Sequence, residues 1–316
     1  MQDSLHIPVA LERCIELLAP AISEIQDPIV VDATLGMGGH TRALLIRYPH
    51  LKVIAFDRDL GAIAIARENL KDLADRVVIV HAVYDEMQNE LNHLGIESVD
   101  GILFDLGVSS MQLDTAERGF AYSQEAPLDM RMDQSTGKSA FDVLMTYSFG
   151  ELVRILRIYG EEKFATKIAD NIIKAREKNE LNTTKDLAEI VKASIPAPAR
   201  RTGGNPAKRT FQALRIEVNQ ELEVLERAIP QSLELIRVGG RVVVMAYQSL
   251  EDKIVKSVFL EATTSRTPRG LPMDLPNSAA KFALLIRGSE AATDTEIGIN
   301  PRAQSMRLRA IEKLAA

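Results

Sequence analysis

"VVDATLGMGGHTRALL", Val30 to Leu45, is the stretch that decides the fold. An apolar, β-branched run ends in an acid, a turn rich in glycine follows (Gly36-Met37-Gly38-Gly39), and apolar residues then return at helical spacing. Strand, tight turn and helix start form a unit on which nucleotide-like ligands sit. Glycines let a ligand approach the main chain, and the helix N-terminus carries partial positive charge. Dinucleotide sites use G-x-G-x-x-G at such a turn, but here the last glycine position is Thr41, which weighs against a nicotinamide cofactor. On this stretch alone, a tight turn with no ligand competes with the binding reading.

Working outward, similar apolar runs recur at 52–57 ("KVIAFD"), 76–82 ("RVVIVHA"), 99–107 ("VDGILFDLG"), 240–247 ("GRVVVMAY") and 282–287 ("FALLIR"), and 29–33 precedes the turn itself. Runs of this kind predict buried strands of a largely parallel sheet. Helical patterns at 40–48, 60–71 and around 85–94 separate the first four, the alternation of a doubly wound α/β fold. From about 114 to 215 the pattern becomes helical: apolar residues fall at 152, 155 and 156 and at 164, 168 and 172, and Thr183-x-x-Asp186 has the form of a helix cap. A helix over 207–229 is predicted from Phe211, Leu214, Val218, Leu222, Leu225 and Ile229. The reading is therefore an α/β domain, 1–113 plus 216–316, with an inserted helical domain, 114–215.

Composition narrows the class. The chain has 316 residues, 46% hydrophobic and 26% charged, with no apolar run near the roughly 20 residues of a membrane helix. The amino-terminal stretch has neither a secretory nor a transit pattern, so a cytoplasmic protein is expected. Cys14 is the single cysteine and reads as a buried apolar residue; five histidines and one cysteine make no recognisable ligand set, so no metal is expected. Net charge is −6, against a protein that coats nucleic acid, yet 190–216 has no acid while holding Lys192, Arg200, Arg201, Lys208, Arg209 and Arg215.

Two acids complete the ligand reading. Asp57 ends the second strand about 20 residues beyond the glycines, where such folds bind ribose hydroxyls. Asp105 ends the fourth, at the edge where open α/β sheets bind ligands, and an acid after "GILF" is costly to bury unpaired. Glycine turn, acid after strand two and acid after strand four suit S-adenosylmethionine. Six segments, "DATLGMGGHT", "DGILFDLGVSSMQLDTAERGFAYSQEAPLDMRMD", "YGEEKFATKIA", "RTFQALRIEVNQELEVLE", "SLEDKIVK" and "NPRAQSMRLRA", then occur in the order and spacing of one family. By them the chain resembles the bacterial small-subunit ribosomal RNA cytosine-N4 methyltransferases (RsmH, or MraW), from His6 to the last helix.

The resemblance implies a class I S-adenosylmethionine-dependent methyltransferase domain, interrupted by a helical domain that helps bind RNA. It carries cofactor contacts over to Gly38, Gly39, His40, Asp57, Tyr84, Asp105 and Gln112. A plain core tyrosine competes at Tyr84, and a capping or core histidine at His40. The implied reaction is methylation of the N4 amine of a cytidine in 16S ribosomal RNA, with the small ribosomal subunit as partner. Asp105 is the candidate acceptor for the amine hydrogens, with Ser109 or Ser110 assisting; orienting the cofactor alone is the competing role. Amino-methyltransferases of DNA carry Asp, Asn or Ser before Pro-Pro-aromatic here, and of that pattern only Asp105 is kept. The acid-free segment offers phosphate contacts from Arg200, Arg201, Lys208, Arg209 and Arg215, with a solvated basic loop as the competing reading, and Arg131 is a further candidate unless it pairs with Asp129 or Asp133. The chain departs from the family's usual Phe-His at Tyr247-Gln248 and from a common histidine at Asn205. Rival readings are a methyltransferase for a small molecule or protein, and a non-catalytic ribosome-assembly factor. Oligomeric state, a homodimer included, is left open.

Overall fold

The computed structural model describes residues 8–201, 205–265, 267 and 278–315, the side chain of Arg201 excepted. In chain order the elements are α1 (Leu11–Ile22), β1 (Ile29–Asp32), α2 (Gly39–Arg47), β2 (Lys52–Asp57), α3 (Leu60–Asn69), β3 (Val77–His81), α4 (Met87–His93) and β4 (Val99–Asp105). Helices α5 (Ser110–Asp114), α6 (Ala140–Thr146), α7 (Phe149–Ile158), α8 (Ala165–Glu177), α9 (Thr184–Ser194) and α10 (Lys208–Asn219) follow. The chain ends with α11 (Glu221–Leu235), β5 (Ile236–Ala246), α12 (Ser249–Ala262), β6 (Phe282–Leu284), α13 (Asp294–Ile299) and β7 (Arg307–Lys313). Two compact units result: one runs to Gly107 and resumes at Glu223, the other is Val108–Leu222. The sequence reading drew these borders at 113/114 and 215/216. No helix among the described residues is long and apolar enough to cross a membrane.

The first unit is a seven-stranded sheet in the order β3-β2-β1-β4-β5-β7-β6. The first five strands run parallel, while β7 pairs antiparallel with both β5 and β6. Strand order reverses between β1 and β4, so the carboxyl ends of these two strands flank the switch point where doubly wound sheets leave a crevice. Neighbouring residues point to opposite faces. Val30, Val53, Leu103 and Val243 join one core with α1 and α2, and Val31, Ile54, Phe104 and Val244 join the other with α4, α11 and α12. Gly101 allows α1 to lie close on the sheet, since a Cβ there would stand 2.9 Å from Leu18 Cδ2. Cys14 is buried in this core with its Sγ 3.7 Å from Met245 Sδ, and burial pushes its thiol well above the ordinary range.

Three elements differ from expectation. The strand expected from 240 begins at Ile236, directly after α11, because Gly239 (φ +80°) and Gly240 sit in a β-bulge rather than a turn. The last helix is instead strand β7, in which Leu308 and Ala310 alternate with Arg307 and Arg309. The helix expected over 207–229 is two helices, broken at Gln220, whose φ is +51°. Asn219, buried just before the break, accepts from Met132 N–H at 2.7 Å and donates to the Met130 carbonyl at 2.8 Å and the Arg215 carbonyl at 2.9 Å. A side chain so engaged closes α10, and apolar spacing alone does not register it.

The second unit is helical. Ser139 with Asp142, Ser148 with Glu151 and Thr183 with Asp186 form reciprocal capping boxes that start α6, α7 and α9. Leu152, Ile155 and Leu156 of α7 and Ile168 and Ile172 of α8 are buried, as their spacing predicts. Met130 and Met132 are buried packing residues of this unit.

Candidate active site

Three neighbouring strands of the first unit end in aspartate: β1 in Asp32, β2 in Asp57 and β4 in Asp105. Asp32 is fully buried. Its Oδ2 accepts from Thr41 Oγ1 at 2.6 Å and its Oδ1 from Thr34 N–H at 3.2 Å. Burial nevertheless raises its pKa, against the opposing pull of Thr41 and His40, and Asp105 adds to the rise. Asp57 Oδ2 accepts from Gly36 N–H at 2.7 Å and Oδ1 from Asp59 N–H at 2.8 Å, so the acid and the glycine turn are tied together. Burial lifts the Asp57 carboxyl to about 6 despite these two bonds. Mutually perturbed carboxylates at one sheet edge mark a functional site.

Asp105 is held on several sides within this unit. Its N–H donates to Thr34 Oγ1 at 2.6 Å, its Oδ1 accepts from the Tyr247 hydroxyl at 2.8 Å, and its Oδ2 lies 3.8 Å from His40 Nδ1. The side chain remains 27% exposed, so another molecule can reach it. His40 is buried at the start of α2 with Nε2 3.2 Å from the Val9 carbonyl. A carbonyl only accepts, so Nε2 carries the hydrogen and Nδ1 faces Asp105 with its lone pair. Burial lowers the His40 pKa more than Asp32 raises it, which keeps the ring neutral. Tyr84 meets the buried Phe104 ring edge to face, centroids 5.6 Å apart. Sequence reading missed Thr34, Thr41 and Tyr247 and left Asp32 outside the site. Its visible signal was a third acid at a strand end.

The glycines divide by role. Gly36 (φ +52°) has open space where a Cβ would stand, and this is the part of the turn that a ligand can approach. At Gly38 (φ +83°) a Cβ would meet Leu70 Cδ1 at 3.0 Å, and at Gly39 it would meet Pro8 Cγ at 2.4 Å. These two are also required by the chain's own packing. Open space over Gly36, the positive end of α2 and the Asp57 carboxylate fit an adenosine-bearing cofactor, whose ribose hydroxyls would donate to the acid while the turn would allow the close approach. Among the described residues no group of three or more His, Cys, Asp or Glu could hold a metal.

The remaining site residues lie in the second unit, and several already serve the fold there. Ser109 and Gln112 form the capping box of α5: Ser109 Oγ accepts from Gln112 N–H at 3.2 Å and Gln112 Oε1 from Ser109 N–H at 3.0 Å. Ser110 is the first residue of that helix. Two cations expected to meet phosphate are instead committed to acids. Arg131 makes a bidentate pair with Asp129 at 2.8 and 2.9 Å, and Arg215 one with Glu221 at 2.7 and 2.8 Å. Lys192 pairs with Glu189 at 3.2 Å. Arg200 Nε donates to the Ile195 carbonyl at 2.6 Å, while Lys208 and Arg209 stand exposed at the start of α10. The Arg201 side chain lies outside the described residues. A cavity of about 370 Å³ in this unit is lined by Tyr122, Lys185, Lys192 and Arg200 among others.

Comparison with known proteins identifies the family. The family model described as "MraW methylase family" matches residues 3–314. A protein of Saccharopolyspora erythraea named ribosomal RNA small subunit methyltransferase H is 56% identical, over 98% of this chain and 93% of its own length. Proteins of the same name from Salinispora arenicola (54%; 98% and 83%) and Streptomyces avermitilis (53%; 99% and 98%) are similarly close. With a family model matched over nearly its whole length and relatives more than half identical, the chain belongs to the MraW methylase family, whose members are S-adenosylmethionine-dependent methyltransferases.

Proposed function

We propose that this enzyme methylates the exocyclic N4 amine of a cytidine in small-subunit ribosomal RNA, and that Asp105 is the residue that receives that amine. The observation that carries the reading is the Asp105 carboxylate itself, at the carboxyl end of β4 beside the switch point, anchored through Tyr247 and Thr34 and still accessible. When bound, S-adenosylmethionine supplies an electrophilic methyl on a positively charged sulfur. The N4 amine is a poor nucleophile because its lone pair is delocalised into the ring. An ionised Asp105 accepting an amine hydrogen draws that lone pair out of conjugation and holds the nitrogen in line. As the N–C bond forms and the S–C bond breaks, the carboxylate takes the proton released by nitrogen. His40, neutral and with its lone pair toward Oδ2, does not compete as a donor. Rate gain then comes from positioning and electrostatics, with no covalent intermediate on the protein.

RNA is the substrate class named for the relatives, and the helical unit has surface to receive it. Lys208 and Arg209 open α10 where cations oppose the helix dipole, an arrangement that an anion would relieve. The cavity brings Tyr122 together with Lys185, Lys192 and Arg200, the two lysines paired with Glu125 and Glu189, so an aromatic ring and cations share one surface, the combination that unstacked nucleotides use. The test is transfer of labelled methyl to small ribosomal subunits lacking the modification, followed by nucleoside analysis. Label in N4-methylcytidine, lost in Asp105→Ala while cofactor binding persists, is the expected result. Cofactor binding without any transfer would favour a non-catalytic factor, and transfer that does not need RNA would favour another substrate class.

A further inference from the structure

We infer that Tyr247 is a positioning residue for methyl transfer: its hydroxyl, 2.8 Å from Asp105 Oδ1, sets the rotation of the carboxylate that receives the substrate amine. The inference rests on the proposed role of Asp105. A carboxylate turns about a broad, two-fold torsion, so an acceptor that must aim a lone pair at one nitrogen needs a second contact to choose the angle. The Asp105 backbone is fixed by β4 and by Thr34 Oγ1, which accepts the Asp105 N–H at 2.6 Å, but neither constrains the carboxyl torsion. The Tyr247 hydroxyl does.

Tyr247 is built to hold still. It follows the last residue of β5, and its N–H donates at 2.9 Å to Oε2 of Glu251, a buried carboxylate that also accepts from Gln248 N–H at 3.2 Å. The backbone is thereby clamped between strand and helix α12. The ring packs against the core shared with α1 and α2, and a Cβ added at Gly107 would stand 3.7 Å from its Cδ2. Burial, then the neighbouring Asp105, push the phenol far above its ordinary range, so the hydroxyl remains a donor at every working pH. It holds the carboxylate without exchanging a proton with it.

The test compares Tyr247→Phe, Asp105→Asn and wild type for kcat and KM on unmodified small subunits, cofactor Kd, Tm, and the pH profile of kcat. Titratable groups around Asp105 are Asp32 from β1, His40 from α2, Cys14 from α1 and Tyr247 itself. Expected for Tyr247→Phe is a roughly tenfold fall in kcat, with KM, cofactor Kd and Tm near wild type. Its acidic limb should move up by about one pH unit, because the ionised carboxylate has lost a donor. Asp105→Asn should abolish turnover; if it retains wild-type kcat, the reading of Asp105 fails and this role falls with it. An inactive Asp105→Asn beside a Tyr247→Phe with wild-type kcat and acidic limb overturns the positioning role alone. A lower kcat that follows a lower Tm, with the limb unmoved, makes the phenol structural and overturns it too.

Discussion

The pH dependence of cofactor binding should be written in Asp57. Burial raises its carboxyl from an ordinary 3.8 to about 6. At about 1.4 kcal/mol per unit, the ionised form in the folded apoprotein is roughly 3 kcal/mol worse off than a solvated carboxylate. The folded protein holds this proton more tightly than the unfolded chain, so the group's contribution to stability is full below about pH 4 and lost as pH rises through about 6. Cofactor binding runs the other way. Ribose hydroxyls would donate to the ionised acid, so affinity should be level above about pH 7 and fall about tenfold per unit below pH 6, where binding releases about one proton. Isothermal titration from pH 5 to 8, in two buffers of different ionisation enthalpy, measures both. Asp57→Asn should bind roughly 10- to 100-fold more weakly at pH 7.5, from the ~1.5–3 kcal/mol of hydrogen bonds to a charged acceptor, and should flatten the profile. Wild-type affinity that is constant from pH 5 to 8, or an asparagine variant as tight as wild type, refutes the ribose-binding role.

Other perturbations separate packing from function. Thr41→Val removes the 2.6 Å bond to the buried Asp32 and should cost about 1–3 kcal/mol in urea unfolding; an unchanged midpoint would mean that Asp32 does not need this donor. Gly39→Ala places a methyl 2.4 Å from Pro8 Cγ and should cost about 1–3 kcal/mol through overpacking, read as a lower Tm. Arg215→Ala strands the buried Glu221 and should destabilise by about 3 kcal/mol, while leaving the salt dependence of RNA binding unchanged. Lys208→Ala with Arg209→Ala should do the reverse, weakening RNA binding and reducing the log–log salt slope by about 1 for each cation, with Tm held; a slope that stays the same removes these residues from the interface.

Legibility in the sequence followed the range of the interaction. The glycine turn, Asp57 and Asp105 were readable because strand, turn and helix start are local, and the strand-end position of an acid follows from a run of β-branched residues before it. Cap signals were equally readable, as at Thr183 and Asp186. Long-range partners were not. Nothing near Arg215 in the acid-free stretch shows that Glu221 turns back to meet it across the Gln220 break, so an acid outside the stretch balances one of its charges. Tyr247 lies 142 positions from Asp105, and only the β4–β5 pairing brings the two strand ends together.

That same pairing explains why the site tolerates so much buried acid. Asp105 adds to the proton affinity of Asp32 and Asp32 to that of Asp57, and the donors that reach the three acids include uncharged ones: the Thr41 hydroxyl and the Thr34 amide at Asp32, the Gly36 and Asp59 amides at Asp57, and the Tyr247 phenol at Asp105. A lysine or arginine in any of those places would neutralise the acid more cheaply in the apoprotein. It would also repel a cofactor that carries positive charge on its sulfur. Neutral donors would leave the negative potential of the three carboxylates for a cationic ligand, which would then recover part of their desolvation cost on binding. Under the proposed role of Asp105, Tyr247 extends this logic to the substrate side, because a neutral donor would orient Asp105 without cancelling the charge that draws out the amine lone pair.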